Sequence, residues 1–253
     1  MGGQKKQNNF VLQAGILAAA GMIVKVISLI YRSPLLSIIG LEGNGYYSEA
    51  INIYTIILLI SSYSIPSAIS KVIAQKMAFK EYQNAQRVFR CALLYVLIVG
   101  GAASIATFAA ASWLVGEHSV VALRVLAPTI FFSGFLGVFR GYFQAHGSMM
   151  HTSLSQILEQ ILNAVVSILA AHLLMKTVAE KDQTTQAIYG SAGSALGTGA
   201  GVVTALLFML AMYMLNRQMI DRRVRYDRTK EIDSYGEITK TIFTVVTPFI
   251  LST

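Results

Sequence analysis

A carboxylate at Glu159 and two carboxamides at Gln156 and Asn163 interrupt an apolar run that grows out of the segment FRGYFQAHGSMMHTSLSQILEQILN, residues 139–163. With Thr152 and Ser167 they recur at the i, i+4, i+7, i+11 spacing of one helix face, and Leu154, Ile157, Leu158, Ile161, Val165 and Ile168 fill the opposite face. Such groups are costly in lipid, so the stripe is expected to face a protein interior or a wet cavity. Hydroxyls and amides on it can serve merely to join helices by hydrogen bonds. Glu159 is different, because a carboxylate requires a partner or water.

A second stripe is cationic: Gly21, Lys25, Ser28 and Arg32 repeat with the same spacing in the first apolar run. Arg32 can reach the outer interface by extending its stem, whereas Lys25 lies about two turns deeper and is expected to line a cavity. Glu49 opens the second run with Asn52 and is a candidate partner for Lys25 or Arg32. Arg124, close to Pro128, places a third cation near the outer half of the fourth run. The chemistry these types permit is recognition without bond making. Fixed cations hold an anionic phosphate, a polar wall formed by Gln156, Glu159 and Asn163 meets hydroxyl groups, and Glu159 or Glu49 could carry a coupling proton or sodium ion.

The elements that must position these residues are membrane helices. Hydrophobic residues make up 55% of the 253-residue chain, charged residues 13%, and the mean hydropathy is +0.58, values that exclude an ordinary soluble domain. Apolar runs of about 20 residues fall near residues 10–31, 46–69, 90–114, 120–145, 152–175 and 187–215. The expected architecture is an all-α polytopic membrane protein: a six-helix transmembrane lobe over residues 1–215, a mixed-charge cytoplasmic linker over 216–236, and the start of a seventh helix over 237–253. That last run is too short to cross a bilayer core of about 30 Å, so the chain is expected to be the N-terminal part of something longer.

The net charge of +8 suggests nucleic acid at first, but its distribution excludes that partner. Lys and Arg cluster in alternate loops, around Lys5, Lys71 to Arg90, Arg140 and Arg217 to Lys240, leaving only Arg32, Lys176 and Lys181 on the other side. This asymmetry predicts a multi-pass protein of the cytoplasmic membrane with its N-terminus in the cytoplasm. Pro34 is expected to break or kink the first helix, with a glycine-rich outer turn at Gly43 and Gly45. The segment SKVIAQKMAFKEYQNAQRVFR has the period of an amphipathic helix lying on an anionic inner leaflet. Gly193, Gly197 and Gly201 form a small-residue seam for close helix packing. A lone Cys91 and scattered His118, His146, His151 and His172 give no basis for a disulfide or a zinc site. No cofactor is expected beyond the coupling ion.

At three blocks, IIGLEGNGYYSEAINIY, SIPSAISKVIAQKMAFKEYQNAQRVFR and FRGYFQAHGSMMHTSLSQILEQ, the chain resembles the polysaccharide flippase and stage V sporulation protein B branch of the multidrug, oligosaccharidyl-lipid and polysaccharide exporter superfamily. The resemblance covers essentially the whole chain. Many relatives carry a basic residue shortly after the EQ pair where this chain has Asn163. The resemblance implies two six-helix lobes facing each other across a central cavity, so that the partners are membrane lipids, a lipid-linked saccharide and a C-terminal lobe of the same protein. It also implies alternating-access flipping of a polyprenyl-diphosphate-linked oligosaccharide or peptidoglycan precursor, with Lys25, Arg32, Glu49, Arg124, Gln156, Glu159 and Asn163 around it. A proton- or sodium-coupled drug or cation antiporter is the alternative, and a membrane enzyme would need paired carboxylates that the sequence does not offer.

Overall fold

The computed structural model describes the backbone of residues 2–63, 65–227, 232–238 and 240, and side chains from Ala14 onward except at 62–65, 219–221 and 223. Most of the expected seventh helix, 237–253, therefore lies outside the described residues. Helix α1 spans Gly2–Leu58 and passes through a π-helical turn, Leu59–Tyr63, into α2, Ile65–Ala78. Helix α3, Tyr82–Tyr95, passes through a second π-helical turn, Val96–Gly100, into α4, Gly101–Leu114. A 3₁₀ turn, Glu117–Ser119, leads to α5, Val120–Ala145, then α6, Met149–Thr177, and α7, Gln183–Arg225. The fold is all-α among the described residues.

Among the described residues, five stretches are long and apolar enough to cross a membrane: Ala14–Ala78, Tyr82–Leu114, Glu117–Ala145, Met149–Thr177 and Gln183–Gln218. The first, of 65 residues, is too long for one pass, since a helix rises only about 1.5 Å per residue. It turns back at Gly40, whose φ of 70° and ψ of 179° lie in a region essentially reserved for glycine. Before the turn, Tyr31 meets Gln160 and Asn163, and Ile39 packs beside Met175, so this limb rises with α6. After it, Gly43 lies against Ala187, Tyr47 bonds Thr198, Tyr54 bonds Ser133 and Pro66 abuts Gly141, so the second limb descends along α7 and α5. The two limbs are antiparallel and supply two passes, which restores the expected six.

The break expected at Pro34 is thus displaced to Gly40. Pro34 sits inside the helix, where the Ser37 hydroxyl donates to the Pro34 carbonyl at 2.7 Å. The turn expected at Gly43 and Gly45 is also absent, because both lie in helix. Gly43 is needed for packing instead, since a Cβ there would stand 3.1 Å from the Ala187 carbonyl oxygen.

The segment expected to lie as one helix on the membrane is an elbow between α2 and α3. Helix α2 ends in a Schellman turn: Glu81 N donates to Lys76 O at 2.9 Å, Lys80 N donates to Met77 O at 3.0 Å, and Lys80 has φ 63°. Its apolar face is buried: Ile69, Val72 and Ile73 join Val88 and Phe89 of α3, Val138 and Tyr142 of α5, and Met209 of α7 in one core. The period that suggested contact with lipid headgroups is satisfied by these helices.

Helix α7 continues past the expected end of the lobe at residue 215 to Arg225, and the connector then folds back onto the elbow. Lys76 Nζ pairs with Glu81 at 2.9 Å and with Asp233 at 2.5 Å, Arg87 donates to the Asp233 carbonyl at 3.0 Å, and Gln83 N donates to Asp227 Oδ2 at 2.7 Å. The Lys76 ammonium and the Asn84 amide stabilise the ionised Glu81 carboxylate and hold it below the usual carboxylate range. Its contribution is therefore present above the ordinary value of 4.5 and lost as pH falls through the lowered one. A spin label at Gly236→Cys is expected to stay immobile down to about pH 4.5 and loosen below it. Glu81→Gln should show the looser spectrum already at neutral pH, and equal mobility in both proteins would show that this pair does not fasten the connector.

Candidate functional site

The glycine seam fixes the relation between α6 and α7. A Cβ on Gly201 would stand 2.5 Å from the Glu159 carbonyl oxygen, and one on Gly197 would stand 2.5 Å from Ser167 N and 2.7 Å from the Asn163 carbonyl oxygen. Ser167 Oγ lies 3.0 Å from Asn163 Oδ1 and 3.1 Å from the Ser194 carbonyl, to which it donates. The upper part of the polar stripe therefore joins helices, and Ser167 is buried there. Thr152 at its other end is also fully buried. The middle of the stripe, Gln156, Glu159, Gln160 and Asn163, is only half-buried.

Against this floor the two limbs of α1 build a groove. Tyr31 on the rising limb reaches Gln160 and Asn163, and Tyr47 on the descending limb shares a hydrogen bond of 3.0 Å with Thr198. Arg32 is exposed between the limbs, close enough to act electrostatically on both Tyr31 and Tyr47. Tyr54, one heptad below Tyr47, shares a 3.2 Å hydrogen bond with Ser133 and feels the charge of Glu159. Lys25 is exposed on the same face as Arg32, two turns nearer the N-terminus. The parallel register of this limb with α6 sets Lys25 about one turn below Glu159.

Glu159 finds its partner across the groove floor. Arg140 of α5 donates from a terminal guanidinium nitrogen to Glu159 Oε2 at 2.7 Å and from Nε to Ser155 Oγ at 2.9 Å. The side chains are 15% and 29% exposed, so the pair is neither sealed nor fully solvated. Arg140, expected to be an ordinary inner anchor, is instead part of the site.

Two expected site residues lie elsewhere. Glu49 does not pair with Lys25 or Arg32: its carboxylate accepts from Gly116 N at 2.9 Å and from Ser119 Oγ at 2.5 Å, tying α1 to the turn before α5. Those orphan donors at a helix entrance satisfy a carboxylate locally. Arg124 is exposed, with its guanidinium carbon 5.7 Å from the ring centroid of Phe108 in α4. It shares the α5 face that carries Phe131 toward Gly101, away from Tyr54 and Ser133. Among the described residues no cluster of three metal-ligating side chains occurs. The residues that the sequence missed are Arg140 and the aromatic wall of Tyr31, Tyr47 and Tyr54. The seven-residue spacing of Tyr47 and Tyr54, which puts both on one face, was the available signal.

Residues 11–226 match the family model described as polysaccharide biosynthesis protein. The chain belongs to that family. Stage V sporulation protein B of Bacillus subtilis (strain 168) is 24% identical over 217 residues, covering 82% of this chain and 40% of the relative. Lipid II flippase MurJ of the same organism is 22% identical over 174 residues, covering 64% of this chain and 32% of that protein. The chain thus spans well under half the length of these two relatives. The fold is that of solved transporters. The crystal structure of MATE in complex with MaD3S matches 96% of this chain and 53% of its own, with a TM-score of 0.75 at 22% identity. A multidrug resistance MATE family transporter in an outward-facing conformation matches with a TM-score of 0.72 at 22% identity. The expected likeness to the exporter superfamily and its half-transporter fold is confirmed.

Proposed function

We propose that this chain forms the N-terminal lobe of a flippase that moves a lipid-linked oligosaccharide or peptidoglycan precursor, carried on polyprenyl diphosphate, across the cytoplasmic membrane. The observation that carries this reading is the polar floor of Gln156, Glu159, Gln160 and Asn163 beside Tyr31 and Tyr47, with Arg32 exposed next to those tyrosines and Lys25 exposed two turns along the same helix face. Cations on a rim and amides on a floor suit a diphosphate joined to a sugar, because a dehydrated phosphate needs charged donors and hydroxyl groups need mixed donors and acceptors. The two curated relatives, one a lipid II flippase by name, support it. A C-terminal lobe would supply the facing wall, and nothing in this chemistry requires a bond to be cleaved.

The experiment is transbilayer movement of a fluorescent polyprenyl-diphosphate-linked sugar in vesicles holding the full-length protein. Movement above protein-free vesicles is expected. Its absence, together with proton- or sodium-driven export of an organic cation, would replace this reading with the antiporter one, which the half-exposed Glu159 carboxylate favours.

The same reading places the N-terminus and the connector in the cytoplasm, as the Lys and Arg distribution requires. In intact cells a cysteine replacing Lys181, between α6 and α7, should react with an impermeant maleimide, and one replacing Arg223 should react only after lysis. The opposite pattern would reverse the orientation.

A further inference from the structure

Arg140 and Glu159 are an unusual combination for a groove floor. The guanidinium is held by two contacts, Ser155 Oγ and one carboxylate oxygen, which leaves donors of its five N–H groups unused by the side-chain bonds given above. The carboxylate is the more exposed partner, at 29% against 15%. One turn below Ser155 on the same helix face, the Thr152 hydroxyl is fully buried and has no hydrogen-bond partner. The main-chain side of Glu159 is fixed by close contact with Gly201, so its helix cannot withdraw, but its side chain can swing from Arg140 toward the groove. The register of the rising limb of α1 with α6 puts Lys25 in nearly the same layer of the bundle.

We infer that Arg140 is a guarded anion site: the diphosphate of the substrate displaces the Glu159 carboxylate from Arg140 and takes its place on the guanidinium. This rests on the proposed flippase reading and adds to it a binding residue and a charge-exchange step. Glu159 neutralises Arg140 when the groove is empty, which avoids an uncompensated charge in a poorly solvated site. An entering diphosphate brings more negative charge and more acceptor oxygens than one carboxylate, so it competes for a bidentate guanidinium. A carboxylate left beside that diphosphate would repel it, so the two anions exclude one another at Arg140 and the Glu159 side chain must swing away. The charged or titratable groups facing Glu159 are Arg140 from α5 and Tyr54 from the descending limb of α1. Lys25 and Arg32 border the same groove on the rising limb, and α7 contributes Gly201, which carries no charge.

The test is binding of geranylgeranyl diphosphate to the full-length protein in nanodiscs, with inorganic pyrophosphate as a second arm. The unaltered protein should bind the prenyl diphosphate at neutral pH. Glu159→Gln should bind it about tenfold more tightly, because the competing carboxylate is gone. Arg140→Gln should lose binding. The double variant Arg140→Gln with Glu159→Gln carries no stranded charge, so it should fold and still fail to bind. Tight binding by the double variant would overturn the inference, as would unchanged affinity in Glu159→Gln. Pyrophosphate binding as tight as the prenyl form would mean that the site selects a soluble anion. Normal binding in every variant, with flipping intact, would refute the guarded site while leaving the flippase reading standing. Absence of flipping and binding in the unaltered protein would remove both.

Discussion

Gly197→Val in α7 is expected to destabilise the bundle by roughly 3 kcal/mol or more, read as a large fall in the thermal unfolding midpoint in detergent, because overpacking a rigid contact is relieved only by backbone movement. Beyond the Ser167 hydroxyl, which can turn aside, the obstacles are main-chain atoms, Ser167 N at 2.5 Å and the Asn163 carbonyl oxygen at 2.7 Å from the first added carbon, and neither can rotate away. Helix association in lipid depends on close van der Waals approach and hydrogen bonds, without the hydrophobic drive available in water, so a seam held apart loses much of what joins α6 to α7. Two other glycines calibrate the result. At Gly199 the only nearby atom is Thr129 Oγ1 at 3.1 Å, a side chain that can adjust, and at Gly45 nothing lies within 4 Å. Gly199→Ala should cost little, and Gly45→Ala should be neutral or stabilising, since alanine is favoured over glycine inside a helix by about 0.5–1 kcal/mol. Equal falls at Gly197 and Gly45 would show that helix packing is not what makes these glycines necessary. Displacing Gly201 in the same way would also shift Glu159, so function should fail there even where the protein remains folded.

Lys25→Ala and Arg32→Ala in the full-length protein are each expected to lower flipping of the lipid-linked sugar by about 10- to 100-fold, the factor associated with losing a charged hydrogen-bond partner. A diphosphate leaving water forfeits hydration worth several kcal/mol unless fixed cations replace it. Both residues are exposed, and neither belongs to an ion pair among the described residues, so removing them should leave folding and insertion unchanged. Lys25→Arg should keep part of the activity, since the charge remains while a planar fork replaces a point-like ammonium. Arg124→Ala is the informative control: its guanidinium packs over Phe108 away from the groove, and its loss should leave flipping unchanged. If both alanine variants flip at the normal rate, the cationic stripe is an anchor, and the transport reading moves to a cation antiporter centred on Glu159.

The wall that Lys25 and Arg32 share, the polar stripe of α6 and the glycine seam of α7 were legible in the sequence because each is periodic within a single helix. Charge placement and apolar run length gave the number of passes for the same reason: lipid imposes its demand on each segment separately. What the tertiary structure decided were pairings between segments. The partner of Glu159 is Arg140, which depends on how α5 crosses α6, and no spacing within either helix could select it over Lys25. Glu49 was assigned to a cation because charges attract, yet the free N–H and hydroxyl donors of the turn at Gly116 and Ser119 lie closer and satisfy it without a counter-ion. Turns were misplaced where the usual residue was absent or misleading. Pro34 is tolerated inside a helix, and the reversal belongs to Gly40, distinguished from its neighbouring glycines only by its backbone angles. At the elbow, Lys80 occupies the left-handed position that glycine normally takes, so an amphipathic pattern ran unbroken through a point where the chain folds. That pattern reported a buried face correctly. Only the packing of α2 and α3 against α5 and α7 could show that the face is covered by protein and not by lipid headgroups.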